Sequence, residues 1–297
     1  MRLIPRSTVA FVVALLALPS GASAWCRTRS VDQPAPTVCG TAGVLLAWQG
    51  ACVTVHVNPA ETAPGIPREL LRLTAEEGAR AWNGVSCGGD AGAAPTFRLL
   101  VGDDVANRVE FLRGGANVNV ITWRPVWGDD AHHDPHALAI TTVNYGGTSG
   151  VILDADIEMN AHPMAPFSVD GGPNTSDVRT VVVHELGHVL GLAHSADRGA
   201  LMYSRVGVGE RRRVPNADDV AGLCAVYPPW RAARCDPELR REALEGGGLT
   251  CAAAPGRGQG GGVVVAAVLV ALGRRRRRAM AGSGARTSTA LTSSSAS

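Results

Sequence analysis

Residues 184–194 read His-Glu-Leu-Gly-His-Val-Leu-Gly-Leu-Ala-His, and this stretch decides the fold of the chain. His184 and His188 are four residues apart, so a helix presents both on one face, where they can bind one metal ion. Gly191 can adopt the positive φ angle that ends a helix, which lets the chain turn and bring His194 to the same ion. Three imidazole ligands leave the fourth position of Zn²⁺ open for water, as in catalytic zinc sites.

The surroundings of this stretch favour a helix with a catalytic group on it. Residues 174–177, Asn-Thr-Ser-Asp, offer N-cap side chains just upstream. The valines at 181–183 have low intrinsic helix propensity, which burial of an apolar helix side can override. Glu185 directly follows the first predicted ligand, and its carboxylate can reach a water molecule at the open zinc position. Glu185 is therefore the candidate catalytic base.

The full pattern resembles the signature of the metzincin metalloproteases, His-Glu-x-x-His-x-x-Gly-x-x-His followed by a methionine turn. Met202 stands eight residues beyond His194, within Ala-Leu-Met-Tyr, and resembles that turn. Ser195 after the third histidine resembles the matrixin branch of the family. The resemblance implies an α+β fold, a zincin-like catalytic domain with a mixed twisted sheet, a zinc-bearing active-site helix and a C-terminal helix. It also implies an endopeptidase with one catalytic Zn²⁺, protein or peptide substrates, and Glu185 as general base.

Upstream of the motif, residues 138–140 resemble the rim strand on which this family pairs an extended substrate. The resemblance makes Leu138, Ala139 and Tyr203 the candidate substrate-binding residues. The segment 203–213 is expected to line the specificity pocket. Its arginines either favour acidic or polar substrate flanks or belong to a solvated loop.

Acidic residues alternate over residues 154–158, a segment that resembles the acidic strand of matrixins. Asp154, Asp156 and Glu158 would share one face of a strand. Their oxygens are the ligand type that Ca²⁺ prefers, so calcium is a second candidate cofactor. A solvent-facing acidic strand explains the same pattern, and the sequence leaves both readings open.

Vertebrate matrixins carry histidines for a second, structural zinc at positions that match Ile140 and Asp156 here. The resemblance therefore implies that this second zinc site is missing. His132, Asp134 and His136 are either remnants of it or part of a solvated polar loop.

Residues 1–24 have the basic start, short apolar run and small-residue cleavage site of a secretory signal peptide. Export to an oxidising compartment allows disulfides among the six cysteines of the exported body, Cys26, Cys39, Cys52, Cys87, Cys224 and Cys235. Six cysteines allow many pairings, so the sequence predicts three disulfides without fixing their partners. Proximity along the chain favours Cys224–Cys235. Cys39 and Gly40 weakly resemble the Cys-Gly pair of a latency segment, but a disulfide is the favoured role for Cys39.

The C-terminal region resembles a MYXO-CTERM type bacterial sorting tag: Cys251, a glycine-rich spacer, a short apolar run and the arginines 274–278. The resemblance implies that sorting machinery cuts near Cys251 and retains the body at the cell surface or outer membrane. The resemblance also implies that the arginines stay in the cytoplasm, which agrees with the positive-inside rule. A nucleic-acid-binding tail and a simple membrane stop are the alternatives. Residues 279–297 lack a core-forming pattern and are expected to be disordered.

The formal net charge of +2 conceals an acidic body, since residues 25–251 hold 19 arginines and no lysine against 26 acidic residues. Nothing there indicates nucleic-acid binding. We expect a monomer with an N-terminal extension (25–49), one matrixin-like domain (50–235), a linker (236–250) and the sorting segment (251–278). Apolar patterns predict the element order β-α-β-β-β-β-α-α.

Two other function classes fit parts of this sequence. One is a zinc-bearing surface protein that binds partners without cutting them, and the other is a zinc hydrolase that does not act on peptides. Glu185 argues against the first because a binding protein needs no catalytic base. The methionine turn and the rim strand argue against the second.

Overall fold

A computed structural model describes residues 23–229 and the strand 288–295, leaving out residues 61, 89–93, 104, 106, 114, 128–133, 135, 164 and 166. Most of the predicted signal peptide (residues 1–22), the linker and the sorting segment with Cys251 lie outside the described residues. Within the described part, no helix is long and apolar enough to cross a membrane.

The chain folds as an α+β structure, which confirms the predicted fold class. Its elements are β1 (Cys26–Arg27), β2 (Cys52–Val57), α1 (Arg68–Asn83), β3 (Thr96–Val101), β4 (Asn119–Arg124), β5 (Ala137–Tyr145), β6 (Ile152–Asn160), β7 (Phe167–Ser168), β8 (Ser176–Asp177), α2 (Val178–Val189), β9 (Leu192–Ala193), α3 (Ala217–Val226) and β10 (Ser288–Ser295). From β2 to α3, the main elements follow the predicted order.

One six-stranded sheet has the strand order β10-β5-β6-β4-β2-β3. The pairs β2–β3, β2–β4 and β4–β6 are parallel, whereas β5 runs antiparallel to β6. This mixed arrangement places β5 on the outer side of the parallel strands. The two longer helices, α1 and α2, pack against each other over the sheet.

Helix α2 is buried on all sides, and this burial explains how a valine-rich segment forms a helix. Val181, Val182 and Val183 are at most 1% exposed, and the indole nitrogen of Trp82 in α1 donates a hydrogen bond of 2.8 Å to the Val183 carbonyl. For a helix buried in this way, tertiary packing supplies the stability that the intrinsic propensity of its residues does not. Asp177, within the predicted capping segment, accepts the N-cap hydrogen bond from the Thr180 N–H at 3.0 Å.

The disulfides tie distant parts of the chain together. Cys26 bonds to Cys39 and Cys87 bonds to Cys224, while Cys52 is also disulfide-bonded. The predicted Cys224–Cys235 pair is therefore wrong. Sequence proximity misled here because α3 packs with its cysteine next to the segment that follows α1, 137 residues away in the chain.

The C-terminal residues 288–295 form β10, which pairs antiparallel with β5 from Ser288 opposite Asn144 to Ser295 opposite Ala137. For these eight residues the expectation of disorder is wrong. Without β10, β5 would be an edge strand with unpaired N–H and C=O groups, which are a template for any extended segment. Composition alone does not reveal such a template.

Candidate metal centre

Helix α2 carries His184 and His188 on the same face, and each ring is fixed by a backbone carbonyl. The Nδ1 of His184 donates to the Leu201 carbonyl at 2.7 Å, and the Nδ1 of His188 donates to the Leu192 carbonyl at 2.8 Å. Since a carbonyl only accepts, each Nδ1 carries the proton and each Nε2 presents a lone pair. Carbonyl bonds of this kind orient imidazoles for metal binding.

Gly191 turns the chain after α2, as its sequence position predicts. Its φ is +86°, and a Cβ there would lie 2.8 Å from the Leu46 carbonyl oxygen. Only glycine satisfies both the left-handed backbone and the close approach of another chain segment. The turn leads into β9 and returns His194 to the other two histidines.

The three imidazoles meet in the protein interior, where one ligand nitrogen of each ring lies within 4.8 Å of those of the other two. The Nε2 atoms of His184 and His188 are only 3.1 Å apart, and two lone pairs at this distance repel unless a cation lies between them. The Nε2 of His194 is buried and has no hydrogen-bond partner in the part of the chain that the structure describes. Burial also lowers the pKa of all three rings, to about 4 for His188. These neutral, converging donors fit Zn²⁺.

Glu185 lies beside this cluster and is fully buried. Its Oε2 accepts a hydrogen bond of 2.5 Å from the hydroxyl of Thr141 in β5. This contact orients the carboxylate from the sheet side. Sequence reasoning missed Thr141 because it stands 44 residues away in the chain, and no local pattern marks it.

The methionine turn packs directly against α2. Met202 is 2% exposed, and a Cβ on Gly187 would lie 2.3 Å from the Met202 sulfur and 2.8 Å from Trp82. Gly187 is therefore needed for contact between helix and turn, although the motif leaves that position variable. Met202 belongs to the same hydrophobic core as the apolar residues of α2.

Comparison with known proteins agrees with this geometry. Residues 124–228 match the model of the matrixin family of peptidases. Human neutrophil collagenase is 30% identical over 160 residues, covering 47% of this chain and 32% of the collagenase. Metalloendoproteinase 2-MMP of Arabidopsis thaliana is 33% identical over 79 residues, covering 26% of this chain and 21% of that protein. Metalloendoproteinase 1 of Glycine max is 39% identical over 66 residues, covering 22% of each chain.

The chain thus spans a third or less of the length of these curated relatives. The matrixin segment contains the three histidines, Glu185 and the methionine turn. The family match and the relatives therefore agree with the resemblance of this segment to the matrixins.

The predicted substrate strand lies in the matrixin segment, as β5, which is second from the edge of the sheet and contacts α2. Leu138 and Ala139 belong to β5, and their side chains are buried. β10 takes the edge on which a substrate strand was expected, with Ser293 opposite Ala139. The backbone of β5 therefore does accept an extended strand in this structure, and that strand comes from the same chain.

Two of the four arginines in the 203–213 segment, Arg212 and Arg213, contact other groups of the protein. The guanidinium of Arg212 lies over the ring of Tyr203, 5.6 Å from its centroid, and donates to the Arg198 carbonyl at 2.8 Å. Arg213 forms a salt bridge of 2.7 Å with the buried Asp177. These two arginines thus stabilise the loop, and both are engaged in contacts within the protein.

The acidic residues of β6 are buried, so their reading as a solvent-facing strand is wrong. Asp154, Asp156 and Glu158 are at most 4% exposed. Glu158 forms a salt bridge of 2.7 Å with Arg124, and Asp156 accepts a backbone hydrogen bond from Val120 at 2.9 Å. Among the described residues, His184, His188 and His194 are the one group of three metal-ligating side chains whose ligand atoms lie close enough to share an ion.

The loop before β5 shows no second metal cluster in its described residues. His136 is exposed, and its backbone N–H donates to the Asp134 carboxylate at 2.9 Å. His132 lies outside the described residues.

Asp219 in α3 holds the methionine turn in place, and sequence reasoning missed this role. Its Oδ2 accepts from the backbone N–H of Leu201 at 2.7 Å and of Asn216 at 2.8 Å, while its Oδ1 accepts from Met202 at 2.9 Å. The pattern Asn216-x-x-Asp219 is a capping box, and its carboxylate here also serves the turn. That pattern was the available signal.

We expect Asp219→Asn to lower the free energy of unfolding by about 2 kcal/mol. The asparagine amide can be turned two ways, and in either one its NH₂ group faces at least one buried backbone N–H that now donates to Asp219. Two donors then face each other, and that hydrogen bond is lost. Urea denaturation of the zinc-free protein measures the change without a contribution from the metal. Asp32→Asn, at an exposed position, is the control. A loss no larger than in this control would contradict the role assigned to Asp219.

Proposed function

We propose that this protein is an exported zinc-dependent endopeptidase that hydrolyses peptide bonds with Glu185 as general base. The proposal rests on one observation: three neutral, buried imidazoles point their lone pairs into one space beside a buried carboxylate. A zinc ion held by His184, His188 and His194 would supply a Lewis acid and lower the pKa of water from 15.7 to about 7.

Glu185 performs the proton transfers in this proposal. Its carboxylate accepts the proton of the attacking water and later passes it to the leaving amine, so it serves first as base and then as acid. The Thr141 hydroxyl donates to Oε2 and so holds the carboxylate in one orientation. Burial of the site excludes bulk water, which strengthens each electrostatic interaction within it.

The substrate lies extended along β5 and pairs with it as an added antiparallel strand. The substrate would take the place of β10 and form the backbone hydrogen bonds that β5 makes with β10 in this structure. Substrate and β10 therefore compete for one edge, and removal of the tail frees it.

We expect the double substitution Leu291→Pro and Thr292→Pro to raise kcat/KM on a short peptide about tenfold. This corresponds to weakening the pairing of β10 with β5 by about 1.4 kcal/mol. Neighbouring residues in a strand point their N–H groups to opposite sides, so two adjacent prolines remove at least one bond to β5. Ser283→Pro with Gly284→Pro, outside β10, is the matched control. Equal rates in the two variants would show that β10 does not compete with substrate.

A cleavage assay on casein and gelatin tests the proposed activity. We expect the purified full chain to contain one zinc per molecule by elemental analysis, to cleave within the substrate chains, and to lose activity with a chelator. Added zinc should restore it. A zinc-loaded protein that binds these substrates without cutting them would refute the endopeptidase and favour a binding protein.

Export and surface retention are a separate part of the proposal and rest on the sequence of the two ends. The signal peptide would be removed after Ala24, and sorting machinery would cut near Cys251, which also takes β10 away from β5. A mass spectrum of the protein from the bacterial surface should show a chain that begins at Trp25 and ends near Cys251. A chain retaining either terminal segment would contradict this processing.

A further inference from the structure

Gln33 makes two hydrogen bonds to the backbone of His194, 161 residues away in the chain. The N–H of His194 donates to Oε1 of Gln33 at 3.0 Å, and Nε2 of Gln33 donates to the His194 carbonyl at 3.2 Å. The side-chain amide thus satisfies both backbone groups of the third histidine, as a neighbouring strand would do.

The N-terminal segment is built to hold Gln33 at that place. β1 pairs antiparallel with β9, Cys26 opposite Ala193, so it lies next to the strand that leads into His194. Thr28 adds a backbone hydrogen bond of 2.9 Å to the carbonyl of Gly191. The Cys26–Cys39 disulfide closes the loop that contains Gln33.

His194 needs such support more than the other two histidines. His184 and His188 stand on a helix and bond their Nδ1 atoms to carbonyls. Among the described residues, neither ring nitrogen of His194 has a hydrogen-bond partner. Its direction therefore depends on its own backbone, and Gln33 is the side chain that fixes that backbone.

We propose that Gln33 is a positioning residue for the third metal ligand, so that the disulfide-closed N-terminal segment forms part of the metal centre. This inference rests on the proposed function for the identity of the metal. It assigns a role to a segment outside the match to the matrixin family, which covers residues 124–228. Loss of a residue that orients a ligand commonly costs 10- to 100-fold in metal affinity.

Three variants of the full chain test the proposal. Gln33→Met keeps the length of the side chain and removes both hydrogen bonds, whereas Gln33→Glu keeps an acceptor for the His194 N–H. Val31→Met is the control, because it places the same new side chain at a position that is 51% exposed. Two readouts are used: NMR hydrogen exchange of the His194 amide in the zinc-free protein, and the rate of zinc release to an excess of chelator.

For Gln33→Met we expect exchange at His194 and zinc release each to be at least about tenfold faster than in the wild type. Gln33→Glu should keep slow exchange at His194 but release zinc faster, since its carboxylate faces the His194 carbonyl. Val31→Met should match the wild type in both.

Two outcomes would overturn the proposal: unchanged exchange and zinc release in Gln33→Met, or exchange that accelerates equally at amides throughout the protein. A wild type that binds no zinc would instead refute the proposed function. The exchange of the His194 amide would then still decide whether Gln33 holds that backbone.

Discussion

Glu185→Gln is expected to lower kcat/KM on a peptide substrate by about 10³-fold while the zinc content stays at one per chain. Glutamine has the same shape and can still accept the hydrogen bond from Thr141, so the fully buried site keeps its packing. It has no basic oxygen to take a proton from water. The expected loss therefore measures proton transfer, and the three histidines remain to bind the metal.

Two further variants make this result specific. Glu69→Gln neutralises a carboxylate in α1 whose side chain is 60% exposed, and its kcat/KM should stay within about twofold of the wild type. Thr141→Val removes the hydroxyl that orients Glu185, and we expect an intermediate loss of about tenfold. If Glu185→Gln kept more than a tenth of the activity, another group would have to be the base.

The convergence of the three histidines could be predicted from sequence because its geometry is local. Helical periodicity places His184 and His188 together, and one glycine turn brings His194 back within a few residues. Each feature depends on neighbours in the chain and not on the rest of the fold. The same holds for the fold class, since strand and helix periodicities are also local.

The supporting contacts of the centre could not be predicted, because they join residues far apart in the chain. Thr141 reaches Glu185 across 44 residues, and Gln33 reaches His194 across 161. Such pairs follow from how the elements pack, and neither residue carries a periodic or motif signal. The Cys87–Cys224 bond escaped prediction for the same reason. Asp219 is the exception, since its capping box was visible in the sequence.

The acidic residues of β6 show how burial changes the meaning of a pattern. The alternation at 154, 156 and 158 correctly places three carboxyl groups on one strand face, but the sequence does not tell whether that face meets water. In the structure it is covered. Burial raises the pKa of Asp154 to about 6. For Asp156, burial and then the charge of Asp154 raise the pKa to about 8.

These raised pKa values predict that stability falls as the pH rises. Between the ordinary pKa of 3.8 and the folded value of about 8, folded Asp156 holds a proton that the unfolded chain has released. Each pH unit in this window costs about 1.4 kcal/mol. From pH 5 to pH 8, Asp156 alone should therefore lower the free energy of unfolding by about 4 kcal/mol.

Asp156→Asn should remove most of this loss, because asparagine is neutral at every pH and can still accept from the Val120 N–H. We expect it to match the wild type near pH 4 and to be more stable by several kcal/mol at pH 8. The comparison uses urea denaturation of both proteins with the same zinc content, so that the titration of the histidines cancels. Asp32→Asn, at an exposed position, should keep the wild-type dependence on pH.

Calcium binding by the same carboxylates predicts the opposite sign. A bound Ca²⁺ would keep Asp154 and Asp156 ionised, so added CaCl₂ would stabilise the wild type at pH 8 and Asp156→Asn would be the less stable protein. The sign of the difference between the two proteins at pH 8 therefore decides between neutral carboxyl groups and a calcium site. Because Asp154 and Asp156 are only 0% and 1% exposed, we expect the neutral carboxyl groups and a more stable Asp156→Asn.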